Sequence, residues 1–326
     1  MLDPASRMER LISQQSPEFA AGFQTIISQI KSDIDLDAIA DLLERGNLEE
    51  ALSQSLRRAP RLGSLYLDSF VLAAQDTARF LNRNLAQIVI DFDQTNPFAV
   101  QVARENQLRL VREFTQSQRR ATREAILDGI QRGANPRQQA LAFRDSIGLT
   151  ETQVKAVNNY RRLLEDGDRA VFDRALRDRR FDRTIRRAIR DEKPLTKHQV
   201  ETMVKRYRER YIAYRSKVIA RTESLRSVHE GKNQMYRQAI ESGDIDPNTL
   251  TNEWNTMPDE RRRSSHATMH GQSQPFGTNF VSGSGNQAPY PGAFGVASED
   301  IQCRCSLGTR ITEIAPVEGI TVEILQ

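Results

Sequence analysis

Apolar residues recur along the first 245 positions at three- and four-residue steps, the period of helices that bury one face. The clearest run is Val200, Met203, Val204, Tyr207, Tyr211, Tyr214 and Val218, continued by Leu225, Val228, Tyr236 and Ile240 up to Gly243. A helix of that length would span roughly 60 to 70 Å at 1.5 Å per residue, so a break or bend inside it is allowed for. Five helix starts can be named. Ser16-Pro17, Asn96-Pro97 and Asn135-Pro136 each put a capping side chain before a proline, whose missing N–H costs nothing at the first helical position. Thr150 with Gln153 and Thr196 with Gln199 have the capping-box spacing.

The pattern changes at Gly243. Leu250 to Trp254 reads as a short strand, and residues 271–298, rich in Gly, Ser, Asn and Pro, read as loop. Ile320, Val322 and Ile324 alternate with Thr321 and Glu323, as in a half-buried strand. The expected fold is mainly α, an extended helical body with a small C-terminal α+β module. It divides into an N-terminal helical region 1–95, a helical body with the long helix 96–243, and the module 244–326. No internal repeat is evident.

Composition adds limits. Of 326 residues, 38% are apolar, a modest core for one large enzyme. A formal charge of +4 and a pI of 9.2 permit a polyanionic partner without demanding one. The start, MLDPASRMER, has charges of both signs and no apolar run behind it, unlike a secretory signal. No stretch approaches the roughly 18 apolar residues of a membrane span. The expectation is a soluble chain made in the cytoplasm, with no membrane partner.

Charge is concentrated between Arg174 and Arg190, where eight arginines stand against two aspartates. Three readings apply: a solvated face paired with nearby acids such as Asp166, Asp168, Asp191 and Glu192, a surface for nucleic-acid phosphate, or a contact for an acidic protein surface. In the second, Arg179, Arg180, Arg183, Arg186, Arg187 and Arg190 would contact double-stranded DNA without reading sequence. No aromatic residues interleave to stack on bases.

Two of the four histidines lie between Ser264 and Gln272, and both cysteines between Asp300 and Ser306. A helix from Pro258 to Gly271 would set His266 and His270 four residues apart on one face. Cys303 and Cys305, two apart on a strand, would share one face and make a poor disulfide. The four would suit a tetrahedral, structural zinc site. The competing reading is two separate histidines and two half-buried thiols. A general acid–base trio of Arg221, Glu223 and His229 is disfavoured, because six residues do not bring His229 and Glu223 to one helix face; an interhelical hydrogen bond suits His229 better. His198 is expected to be solvated.

The stretches PLTKHQVETMVKRYRERYIAYRSKVIARTES and EWNTMPDERRRSSHATMHGQ, followed by CRC, resemble the phage Mu F-like head-morphogenesis family, the minor head proteins of tailed bacteriophages. The resemblance runs from about Phe92 to Leu307. It implies that Arg221, Glu223, Trp254, Asp259, His266, Gly271 and the two cysteines are hallmark positions. It implies a virion protein, in the capsid interior or at the portal vertex, with portal protein, major capsid or scaffolding protein and DNA as partners. Many relatives carry His-Pro just before the Cys-x-Cys; here Glu299, Asp300, Ile301 and Gln302 stand there, which leaves the fourth metal ligand open. The expected role is binding, not catalysis. The alternative is a zinc-assisted hydrolase, a nuclease or peptidase, acting in packaging or infection.

Overall fold

The computed structural model describes residues 4–84 and 89–311. Among these residues, nine helices precede the first strand: α1 (Pro4–Ser32), α2 (Leu36–Glu44), α3 (Leu48–Ser55), α4 (Arg61–Asn84), α5 (Pro97–Gln131), α6 (Pro136–Ser146), α7 (Glu151–Glu165), α8 (Asp182–Arg190) and α9 (Lys197–Glu241). Then come β1 (Leu250–Asn255), α10 (Ser264–Ala267), β2 (Ser273–Pro275), β3 (Phe280–Val281), β4 (Gln287–Ala288), α11 (Ala297–Asp300) and β5 (Ser306–Ile311). The protein is therefore mainly α with a small C-terminal sheet region. The expected tail strand at 320–324 lies outside the described residues. No helix among the described residues is long and apolar enough to cross a membrane.

Four of the five helix starts are formed as expected. Asn96 accepts from the N–H groups of Phe98 and Ala99, and capping boxes close at Asn135/Gln138 and Thr150/Gln153. Thr196 and Gln199 exchange the same pair of bonds at the head of α9. The exception is Ser16-Pro17, which lies inside α1. Ser16 turns its hydroxyl back to the Ile12 carbonyl at 2.6 Å, one turn earlier, instead of capping a new helix. Buried apolar residues stand on both sides of the proline, Leu11 and Ile12 before it and Phe19 and Phe23 after it. Their burial outweighs the local stop signal.

The chain gathers into two compact units. Of the described residues, the first comprises 4–20, 63–84, 89–107 and 218–311, the second 21–62 and 108–217. In the second unit, Ala121 and Ala125 of α5, Val154, Val157, Tyr160 and Leu164 of α7, Ile185 of α8, and Val200, Met203, Val204 and Tyr207 of α9 form one core. Tyr160 and Tyr207 stack at 4.2 Å. The stripe read along α9 holds to Tyr207, with Tyr211 half-buried against the same core; Tyr214 is 48% exposed.

In the first unit, Met8, Leu11 and Ile12 of α1, Ala73 of α4 and Leu225 and Val228 of α9 share a core with Trp254, Met269, Phe280, Phe294, Cys303, Cys305 and Leu307. The C-terminal sheet region thus has no separate core: it closes against three helices. Here α9 is covered nearly all round, from Thr222 to Tyr236. Gly231 makes this possible, since a Cβ there would lie 2.2 Å from the Phe70 carbonyl oxygen of α4.

The main sheet has the order β2-β1-β5, antiparallel throughout. Strand β1 alternates buried and half-buried positions, as its sequence predicts, with Leu250, Asn252 and Trp254 inward. Trp254 pairs with Leu307 of β5. The outer edge of β5 is capped by α9: Leu307 donates its N–H to His229 Nε2 (3.1 Å) and accepts from Lys232 Nζ (2.7 Å). An edge that would otherwise show unpaired backbone groups is closed by two side chains.

Candidate metal centre

Three of the four side chains singled out by sequence come together. His266, Cys303 and Cys305 place one ligand atom each within 4.8 Å of the others, and all three are buried. His266 Nδ1 lies 3.3 Å from Cys305 Sγ and 3.6 Å from Cys303 Sγ. A tetrahedral zinc with bonds of about 2.0 Å to nitrogen and 2.3 Å to sulfur would separate N and S by about 3.6 Å. These separations therefore suit a common ion, and the donor set of one imidazole and two thiols suits zinc.

His270 does not join them. It is exposed, and its Nδ1 accepts the Thr256 N–H at 3.1 Å. The expected helix from Pro258 to Gly271 is reduced to the four residues of α10. Arg261 to Ser265 are polar throughout and offer no apolar stripe to bury, so the segment gains little from being helical. Asp259 instead ion-pairs with Arg304, the residue between the two cysteines, and accepts from the Arg261 N–H at 3.0 Å. The cysteines lie in the extended segment before β5, not within the strand. Gly271, at φ +77°, turns the chain so that its N–H reaches the Trp254 carbonyl at 2.8 Å.

The other nitrogen of His266 has a carboxylate. Glu299 Oε2, from α11, lies 2.7 Å from Nε2 as an ion-pair contact. Glu299 is itself 2% exposed and is held by Ser265 Oγ (2.9 Å), Ser282 Oγ (3.3 Å) and Asn286 Nδ2 (3.2 Å). Carboxylate on one ring nitrogen and metal on the other is the usual outer arrangement of a metal-bound histidine. The acid stands four residues before Cys303, where the sequence by itself shows only that His-Pro is missing.

Electrostatics point the same way. The Cys305 thiol beside it, then the His266 imidazole, lower the Cys303 thiol to about 5. Cys305 is raised in turn by the neighbouring Cys303 sulfur and by burial. Burial works against a charged His266, yet Cys303 and Glu299 outweigh it and raise its pKa. Burial also works against a charged Glu299, but Ser265, Asn286 and His266 hold it below the usual carboxylate range. The arrangement thus favours the thiolate on Cys303 over that on Cys305.

Helix α9 fixes the segment that carries the cysteines. Arg221 donates Nε to the Cys303 carbonyl (3.2 Å) and forks its other two nitrogens onto Glu9 of α1 at 2.9 Å each. Thr222 Oγ1 accepts the Gln302 N–H at 3.0 Å. Arg226 bridges the Gly292 carbonyl (2.7 Å), Asp300 (3.2 Å) and Glu223 (3.3 Å). Trp254, fully buried, touches His266, Phe280 and Phe294 with its ring. His229 is wholly buried and bonded through both nitrogens, Nδ1 to the Leu225 carbonyl (2.8 Å) and Nε2 to Leu307. Its partners are its own helix and a strand rather than a second helix. Six residues from Glu223 and engaged at both ends, it forms no acid–base trio.

The arginine-rich stretch is split in its behaviour. Asp178, 2% exposed, pairs with Arg180 (2.6 Å), Arg206 (3.4 Å) and Arg210 (3.3 Å); Arg180 first, and then Arg210, hold its carboxyl far below the usual range. Arg186 reaches Asp182, and Arg187 and Arg190 share Asp191. The acids that pair are thus mostly inside the stretch. Arg179 and Arg183 are exposed and form no ion pair among the described residues. Ile185 faces the core, and the arginines of α8 face outward.

Against known proteins, one family model matches, described as "Phage Mu protein F like protein", over residues 120–308. Neither the curated proteins nor the solved structures give a match.

Proposed function

The chain belongs to the family of phage Mu protein F-like proteins, and from that premise we propose that it is a minor head protein of a tailed bacteriophage. It acts by binding portal and capsid or scaffolding components during head assembly, inside the capsid or at the portal vertex. The His266–Cys303–Cys305 group holds a structural zinc, and the outward arginines of α8 lie against packaged DNA. The observation that carries the reading is where the metal group sits. It is 0 to 3% exposed, inside the core shared by α1, α4, α9 and the C-terminal sheet. An ion there would tie α10 to the extended segment before β5 and would meet no substrate.

A zinc-assisted hydrolase, nuclease or peptidase, draws support from one fact: three protein ligands leave a fourth position, as catalytic zinc requires. Burial of all three side chains weighs against it, because a scissile bond has no way in.

Metal analysis of the purified chain tests the site. One zinc per chain is expected, lost in Cys303→Ser, Cys305→Ser and His266→Ala and kept in His270→Ala. Zinc retained by a Cys303→Ser/Cys305→Ser double variant would remove the site. Co-sedimentation with the portal protein of the same phage tests the role. Zinc-dependent cleavage of DNA or peptide, without association, would favour the hydrolase.

A further inference from the structure

A groove of about 320 Å³ between α1 and α4 is lined by Arg7 and Arg10 from one helix and Arg79 and Arg83 from the other, facing one carboxylate, Asp76. Arg7 is already engaged. It ion-pairs with the Asp76 carboxylate, donates to the Asp76 backbone oxygen at 2.6 Å, and lies 4.3 Å over the Phe80 ring. Arg79 stands 4.0 Å from the same carboxylate with its side chain 56% exposed. Arg10 and Arg83 are exposed and have no ion pair among the described residues. Steps of three and four residues put each pair on one helix face, where like charges repel and slightly destabilise the helices that carry them. The groove therefore offers three guanidinium groups with little or no carboxylate to answer them.

We infer that this groove binds a phosphodiester backbone without reading its sequence. The planar fork of arginine meets two phosphate oxygens at once. A polyanion also releases its condensed counterions on binding, which an isolated carboxylate does not. An acidic peptide is the rival ligand, and the groove lacks what one needs. Leu11 is 7% exposed and Arg7 covers Phe80, so no apolar pocket is open for an anchoring side chain. Gln14 is the one uncharged polar residue of the lining among the described residues, and guanidinium groups spent on phosphate oxygens carry no sequence information. The inference rests on this groove and not on the assembly reading, since α1 and α4 precede the family-matched residues.

The test uses the full chain and a fluorescent duplex DNA, with anisotropy measured across a salt series. The triple variant Arg10→Gln/Arg79→Gln/Arg83→Gln leaves Arg7 on Asp76. Its plot of log affinity against log salt is expected to be shallower by about 2 to 3, at roughly 0.9 for each phosphate no longer neutralised. Circular dichroism should match that of the parent chain; if it does not, single Arg10→Glu and Arg83→Glu variants take the same test, each weakening binding severalfold. An unchanged slope overturns the inference, as does a parent chain that binds no duplex. So does polyglutamate displacing the duplex as well as unlabelled DNA of equal charge. Neutralising Arg183, Arg186 and Arg187 serves as the control: if that alone abolishes binding while the groove variants keep it, the groove has no part.

Discussion

Glu299 shows how much of a site one side chain can settle. A buried carboxylate is costly unless its lone pairs are answered, and here two hydroxyls, an amide and an imidazole answer them. In return it fixes which nitrogen of His266 faces the sulfurs. Glu299→Gln is therefore expected to keep the fold and weaken zinc binding by about 10- to 100-fold, measured by competition with a chromogenic chelator. Affinity equal to that of the parent chain would mean that Glu299 does not tune the ligand. At this scale the sequence was partly legible: the two cysteines and His266 could be paired by residue type and spacing. His270 could not be excluded, because its exclusion depends on a helix that fails to extend. Glu299 was unreadable as a partner, since its closeness to His266 comes from the path of the long loop between them.

Among the elements, helix α9 was the most legible, because caps and stripe agree over its first three turns. Its second half was harder to read, for a helix buried all round has no stripe to reveal its neighbours. The crossing with α4 depends on Gly231. Gly231→Ala should gain about 1 kcal/mol of helix propensity and lose more than that to the clash with the Phe70 carbonyl. A net loss of about 2 kcal/mol or more is expected by urea denaturation, and a variant as stable as the parent would show that the crossing can open without cost. Pro17 teaches the converse. A strong local stop signal was overridden because apolar residues on both sides of it are buried.

For the molecule as a whole, acid should act first through His229, held neutral by burial at a pKa of about 3. The unfolded chain takes up a proton near pH 6.5 and the folded chain does not, so stability present above pH 6.5 is lost as pH falls. That is about 1.4 kcal/mol per pH unit, or about 2 kcal/mol between roughly pH 6.5 and 5. His266, raised in the fold, contributes with the opposite sign in this range. Comparison with His229→Gln isolates the effect: the variant should be less stable near pH 7 but lose less between about pH 6.5 and 5, and equal losses would assign the acid sensitivity elsewhere. The two-unit arrangement had no local mark in the sequence, because contacts between residues about two hundred positions apart leave no periodicity. The pairing of α1 with the C-terminal sheet region has a consequence for synthesis. Met8, Leu11 and Ile12 leave the ribosome more than two hundred residues ahead of Leu225, Val228 and Trp254, with which they share a core. At about 5 to 20 residues per second the nascent chain must keep that greasy stripe out of trouble for roughly 10 to 40 seconds with no more than α4 beside it, before the second half of α9 exists.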